Sequence, residues 1–331
     1  KGKGAASFKK WKQSLMPRVL KSLGTQPRSV DPEPELLAEW EEDGLIKQRW
    51  VINTQPGLAA TMLVFRPAGL KRNEKRPAIL CCHGHGVGAK NYVMGLGEAP
   101  GTDGKIEIER ADYGLKMAEA GFVTFAIDWL GFGERAFTTK PHYYNGHWGR
   151  DHCNIDYLCA TMLGTTVLAL NLHDAKVATD VVTAMPFVDA KRLGVMGVSL
   201  GGTMTTWVSL YDKRFAAANV ICYNGPWHEI AYRTYNVCGS QVTPGIYAIC
   251  DVAELQGLIA PRPLLIEIGI HDTCFVVDHS LNDHYQQVER IYTAANAADK
   301  LELDLFAGVH RWSGTKSLDF FAKHLNAEWM T

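Results

Sequence analysis

Residues 193–203 read Leu-Gly-Val-Met-Gly-Val-Ser-Leu-Gly-Gly-Thr. The first half is a short apolar run suited to a buried strand, and the second half opens a helix with small residues. Between them, Gly197-Val198-Ser199-Leu200-Gly201 has the Gly-x-Ser-x-Gly spacing of a nucleophile elbow. In such a turn the serine adopts a strained backbone, and a side chain two residues to either side would strike the neighbouring strand or helix. The hydroxyl is thereby presented at a helix N-terminus, where N–H groups and the helix dipole favour a developing negative charge. A bare Gly-x-Ser-x-Gly is also common in ordinary turns, so its weight comes from the strand before it and the helix after it.

Working outward, further strands are predicted at 78–82, 123–128, 217–222, 263–269 and 301–306, with a hairpin at 48–53 and 59–65. Helical patterns occupy 112–120, 157–184, 201–211, 276–297 and 315–326. Continuous apolar strands alternating with helices predict a doubly wound α/β fold. Its sheet has about eight strands, mostly parallel with an antiparallel start, and helices on both faces. Upstream, residues 6–23 form an amphipathic helix with Phe8, Trp11, Leu15, Val19 and Leu23 on one face, bent or broken at Pro17. The chain therefore divides into an N-terminal helical extension, 1–45, packed on a catalytic domain, 46–331. Two long loops, 89–110 and 133–154, interrupt the pattern.

The 331 residues are 47% hydrophobic and 21% charged, enough for one large domain, and the net charge of −1 gives no field favouring nucleic acid. No apolar run reaches the roughly 20 residues of a membrane span, and no secretory h-region follows the basic start. A cytoplasmic location is expected, with an exported form left open because the numbering begins at Lys1. Eight cysteines lack framework spacing and no Cys-x-x-Cys or His-Glu-x-x-His occurs. Reduced thiols, no metal and no cofactor are expected, with one disulfide among Cys153, Cys159, Cys238 and Cys250 left open.

In such sheets chemistry gathers at the carboxyl ends of the strands. The strand at 78–82 delivers His83-Gly84-His85-Gly86, whose backbone near His85 is a candidate oxyanion donor beside the N–H of Leu200. Metal binding by His83 and His85 would need ligands that the sequence does not supply nearby. The strand at 123–128 delivers Asp128, followed by Glu134 and Arg135, read mainly as a structural set. The strand at 263–269 is followed by Asp272, with Asp278 and the intra-strand Glu267 as rival acids. His310 follows the last strand and completes the chain order Ser199, Asp272, His310. Trp148 and Arg150 on one long loop, and Trp227 and Tyr232 after residue 222, are candidate substrate contacts, with Tyr143, Tyr144, His147, Tyr235 and Gln241 beside them; plain loop packing weighs equally.

These motifs, together with Asp128-x-x-Gly131-x-Gly133-x-Arg135 and Ala260-Pro261-Arg262-Pro263, resemble the α/β-hydrolases, in particular the dienelactone hydrolase-like and acetyl xylan esterase-like branch. The likeness covers roughly residues 6–327 and implies fold and triad more firmly than substrate. Dienelactone hydrolases proper use a Cys nucleophile, and Ser199 departs from that toward an esterase. The expected function is a serine hydrolase of small carboxylic esters, acetyl esters of carbohydrates among them. The alternatives are a serine peptidase, disfavoured because no gating domain precedes the sheet, and a non-catalytic binding protein on a hydrolase scaffold. A small-molecule ester is the expected partner.

Overall fold

A computed structural model describes residues 4–86, 88–97, 110–136, 152–327 and 329. The strands are β1 (Glu35–Glu42), β2 (Leu45–Gln55), β3 (Leu58–Pro67), β4 (Arg76–Cys82), β5 (Val123–Ile127), β6 (Val188–Val198), β7 (Phe215–Ile221), β8 (Leu264–Gly269) and β9 (Leu301–Phe306). They form one sheet in the order β1-β2-β3-β5-β4-β6-β7-β8-β9. Pairs β1/β2, β2/β3 and β3/β5 are antiparallel, and every pair from β5/β4 to β8/β9 is parallel. That is the predicted antiparallel start and parallel body.

The helices include α1 (Ala5–Lys21), α2 (Ala89–Val93), α3 (Tyr113–Glu119), α4 (His152–Met162), α5 (Val167–Thr183), α6 (Leu200–Tyr211), α7 (Val252–Gly257), α8 (Gln286–Ala294) and α9 (Ser317–His324). A π-helical turn, Ser280–Tyr285, leads directly into α8. Strand side chains alternate between two buried layers. From β4, Ala78, Leu80 and Cys82 enter one layer, with α1, α5 and α6, while Ile79 and Cys81 enter the other, with α3 and α9. Burial on both faces is why these strands read as unbroken apolar runs rather than alternating ones.

Four local expectations are corrected. The sheet has nine strands, not about eight. The extra one, β1, lies inside the stretch read as a helical extension. As an edge strand it is bonded on one side only and exposed along most of its length, so no apolar alternation marked it. Helix α1 runs through Pro17 without breaking, anchored by Leu15 and Val19 in the core and by Lys12 Nζ donating to the Leu258 and Ala260 carbonyls at 2.5 and 2.6 Å. The single helix predicted over 157–184 is two. Gly164 adopts a φ of +73°, and Thr166 caps α5 by accepting from the Ala169 N–H at 3.1 Å. Finally, the loop from residue 89 begins with α2. No disulfide joins the cysteines among the described residues.

Candidate active site

Ser199 sits between β6 and α6 with φ 61° and ψ −119°, a region that non-glycine residues rarely occupy. Its N–H donates to the Ile221 carbonyl at 2.9 Å, and its own carbonyl accepts from Thr203 N–H at 3.1 Å. The flanking glycines are required by space. A Cβ on Gly197 would lie 2.5 Å from the Cys82 carbonyl oxygen, and one on Gly201 would collide with the same carbonyl. The elbow therefore presses against the end of β4, which brings the His83–Gly86 turn beside Ser199. A Cβ on Gly84 would fall 3.5 Å from that of Ser199.

His310, on the loop after β9, and Asp272, just past β8, meet at 2.8 Å between Nδ1 and Oδ2. The other carboxylate oxygen of Asp272 accepts from the backbone N–H groups of Cys274 and Phe275 at 2.7 and 3.2 Å. The Phe275 ring stacks on the imidazole, centroids 5.9 Å apart. Burial works against a charged imidazole, but the hydrogen bonds with Asp272 and Cys274 outweigh it and hold His310 above the ordinary histidine value.

The rival acids lie elsewhere. Asp278 is exposed on the turn Val277–His279. Glu267 is fully buried inside β8. It accepts from Asn219 Nδ2 at 2.7 Å, Ser317 Oγ at 2.6 Å and the Ser313 N–H at 2.9 Å. Burial pushes its carboxyl up to about 7, against the pull of those three donors. It thus ties the segment following His310 to the sheet rather than touching the imidazole.

His83 is also a structural histidine. Its Nδ1 bonds the Gly84 carbonyl at 2.8 Å and its Nε2 accepts from the Trp129 N–H at 3.0 Å, while burial lowers its pKa to about 4. Asp128 organises the neighbouring loops as expected. It accepts from both the backbone N–H and the ammonium of Lys90, at 3.0 and 2.6 Å, and from the Glu134 N–H at 3.0 Å. Arg135 pairs with the Asp174 carboxylate at 2.6 Å and also donates to the Asp128 backbone carbonyl at 3.2 Å.

Ser199, His310 and His85 open into one cavity of about 400 Å³. Tyr92 and Val93 of α2 and Tyr113 of α3 form one wall, and the segment from Tyr235 to Gln241 forms another. Tyr235 and Gln241 therefore line the cavity. Trp227 does not: it is a buried core side chain packed with Ile230. Tyr232 is 65% exposed and leans on Tyr247 at 6.1 Å, away from the lining. Tyr143, Tyr144, His147, Trp148 and Arg150 lie outside the described residues. Sequence reasoning missed Tyr92 and Tyr113. The one available signal was a tyrosine in each short helix after the His83–Gly86 turn, Tyr92 near the end of α2 and Tyr113 opening α3.

An elbow serine, a carboxylate-bound histidine and a glycine turn at one sheet edge point to a hydrolase scaffold. The model of the Abhydrolase family matches residues 3–224. The chain belongs to that family. A prolyl oligopeptidase family model also matches, over residues 170–283. Among curated proteins this Abhydrolase member is 24% identical over 226 residues to the "Putative hydrolase YtaP" of Bacillus subtilis (strain 168), covering 67% of this chain and 69% of that one. Among solved structures it is similar to a "putative acetyl xylan esterase" from Bacteroides fragilis NCTC 9343, with a TM-score of 0.73 and 17% identity over 92% of this chain and 76% of that one. A glucuronoyl esterase from Solibacter usitatus has a TM-score of 0.68 and 16% identity over 97% and 93% of the two chains. At these identities the structural likenesses establish a shared fold. Among the described residues, no helix is long and apolar enough to cross a membrane.

Proposed function

We propose that this Abhydrolase member is a serine hydrolase of small carboxylic esters, with Ser199 as nucleophile, His310 as general base and Asp272 as the residue that orients it. The observation carrying this reading is that Ser199, on its strained elbow, opens into the same cavity as the imidazole held by Asp272. Neutral His310 takes the Ser199 proton as Oγ attacks the acyl carbon, and Asp272 holds the tautomer and stabilises the imidazolium. The N–H of Leu200, in the first turn of α6, and an N–H of the turn at His85 are the proposed oxyanion donors, each contributing roughly 3–4 kcal/mol to lowering the barrier. The alcohol leaves with the proton from His310, and water then releases the acid from the acyl-enzyme.

The carbohydrate esterases among the structural relatives make acetylated and uronate-esterified sugars the first natural substrates to test. The prolyl oligopeptidase match spans both Ser199 and Asp272, so a peptidase is the second reading. One experiment separates them. Hydrolysis of p-nitrophenyl acetate, butyrate and octanoate is compared with that of dipeptidyl anilides, with and without a serine-directed organophosphate, and the label is located by mass spectrometry. Ester turnover with label on Ser199, both lost in Ser199→Ala, is the expected result. Preference for the anilides would install the peptidase reading, and unchanged turnover in Ser199→Ala would end both.

A further inference from the structure

The sequence offers His83 and His85 no nearby partners for a metal ion. The fold brings two partners to His85 from distant segments. His85 Nε2 lies 3.0 Å from Cys238 Sγ and 3.8 Å from Cys153 Sγ, and the three atoms all lie within 4.8 Å of one another. We propose that His85, Cys153 and Cys238 form a site for one thiophilic divalent cation of the zinc class.

The spacing suits such an ion. Tetrahedral zinc, with Zn–S of about 2.3 Å and Zn–N of about 2.0–2.1 Å, sets an N···S edge of roughly 3.6 Å. The two observed N···S distances fall on either side of that value, so side-chain adjustments of about half an ångström bring both N···S edges to it. Two thiolates and an imidazole select zinc-like ions over magnesium or calcium, which take oxygen ligands.

The surroundings are built to hold the three groups. Cys153 and Cys238 are buried, at 2% and 7% exposure, while His85 is exposed. The ligands come from α4, from the segment before Gly239, and from the turn after β4. The first two are already joined by the Gly239 N–H donating to Asn154 Oδ1 at 2.8 Å. The ring of His85 is braced edge-on by Phe132 at 5.3 Å. His85 and Cys238 both line the cavity that contains Ser199. Water or a molecule in that cavity would supply the fourth ligand, as in sites with three protein ligands.

Binding is an exchange of protons for the ion. Two S–H bonds break, two sulfur–metal bonds form, and two protons go to solvent. His85 coordinates through the lone pair of Nε2 and keeps its proton on Nδ1. Nothing is oxidised or reduced.

The test uses the full chain without an affinity tag, reduced and treated with chelator, then titrated with Co²⁺ and afterwards Zn²⁺. One equivalent of Co²⁺ should produce the intense visible bands and near-ultraviolet thiolate charge transfer of a four-coordinate thiolate site, and Zn²⁺ should displace it. Zinc should also raise the melting temperature of the wild-type protein. Cys153→Ser and Cys238→Ser should each weaken zinc binding by more than about tenfold, since losing even an outer-shell partner costs about 10–100-fold. Cys159→Ser, on the same helix but exposed, should leave the titration unchanged. The wild-type titration stands even where a variant fails to fold, and it does not depend on the esterase reading. No stoichiometric uptake by the wild type, a cobalt spectrum that survives Cys238→Ser, or a Cys153–Cys238 disulfide persisting in reductant would each overturn the site.

Discussion

Asp272 binds His310 Nδ1 through one carboxylate oxygen, at 2.8 Å, and two backbone N–H groups through the other. The carboxylate is held from both sides, so the imbalance between a bound and an unbound acid should be large and local.

Asp272→Asn should lower kcat by about 10⁴-fold, because an amide in this position stabilises the wrong imidazole tautomer. Asp278→Asn, at an exposed position, should leave kcat within twofold. Steady-state kinetics of both variants checks the pair, and equal losses would remove Asp272 from its proposed role.

The upward shift of His310 has a definite consequence with pH. The base must be neutral to act, so kcat/KM should keep rising above pH 6.5, where an ordinary histidine has half titrated. Asp272→Asn should move that midpoint to lower pH. The same shift contributes stability that is complete below the unfolded value of about 6.5 and fades as pH rises through the folded value. A wild-type midpoint at or below 6.5 would contradict the raised value.

Gly201→Ala should cost about 1–3 kcal/mol or more, because the added Cβ meets the Cys82 carbonyl rather than a flexible side chain. Gly245→Ala is a useful comparison: that glycine has open space around it but a φ of +74°, so its penalty is conformational alone and should be nearer 1 kcal/mol. Denaturant melts of the two variants give the comparison.

Lys90 and Asp128 are a buried pair, each side chain 1% exposed. Lys90→Met should destabilise by about 3–5 kcal/mol, since Asp128 is left charged without its cation. It should also loosen α2 and raise KM. Asp128→Asn combined with Lys90→Met should recover part of the stability, a coupling that chemical denaturation measures directly.

Much of this architecture was legible from periodicity. The apolar runs at 78–82, 193–198 and 263–269 are strands because both their faces are covered, and their succession with helices dictated a parallel body. The elbow and the chain order of Ser199, Asp272 and His310 were equally open to reading, since each follows a strand end. What stayed hidden depended on distance in space. Strand β1 has charged residues on an edge, and its pairing with β2 leaves no mark on its own composition. Trp227 looked like a ligand platform, but an aromatic residue after a strand serves core packing equally well, and here it does. The meeting of His85 with Cys153 and Cys238 spans separations of 68 and 153 residues, and no local spacing rule encodes it.

The cavity's two sides come from different parts of the chain. The proposed reacting groups are carried by the ends of β6, β8 and β9, whereas Tyr92, Val93 and Tyr113 hang from short helices after β4 and before β5. Helix α2 is fastened to the scaffold through Asp128, whereas α3 is fastened by the Tyr113 hydroxyl donating to the Cys82 carbonyl, the same carbonyl the elbow glycines press against. The α2 side of the wall is thus held apart from the elbow, and the Tyr113 side is held to it. Under the proposed esterase reading, replacing Tyr92 or Val93 should therefore retune which acid or alcohol is accepted while Ser199 and His310 keep their alignment, which makes the α2 side the place to begin directed evolution of substrate range.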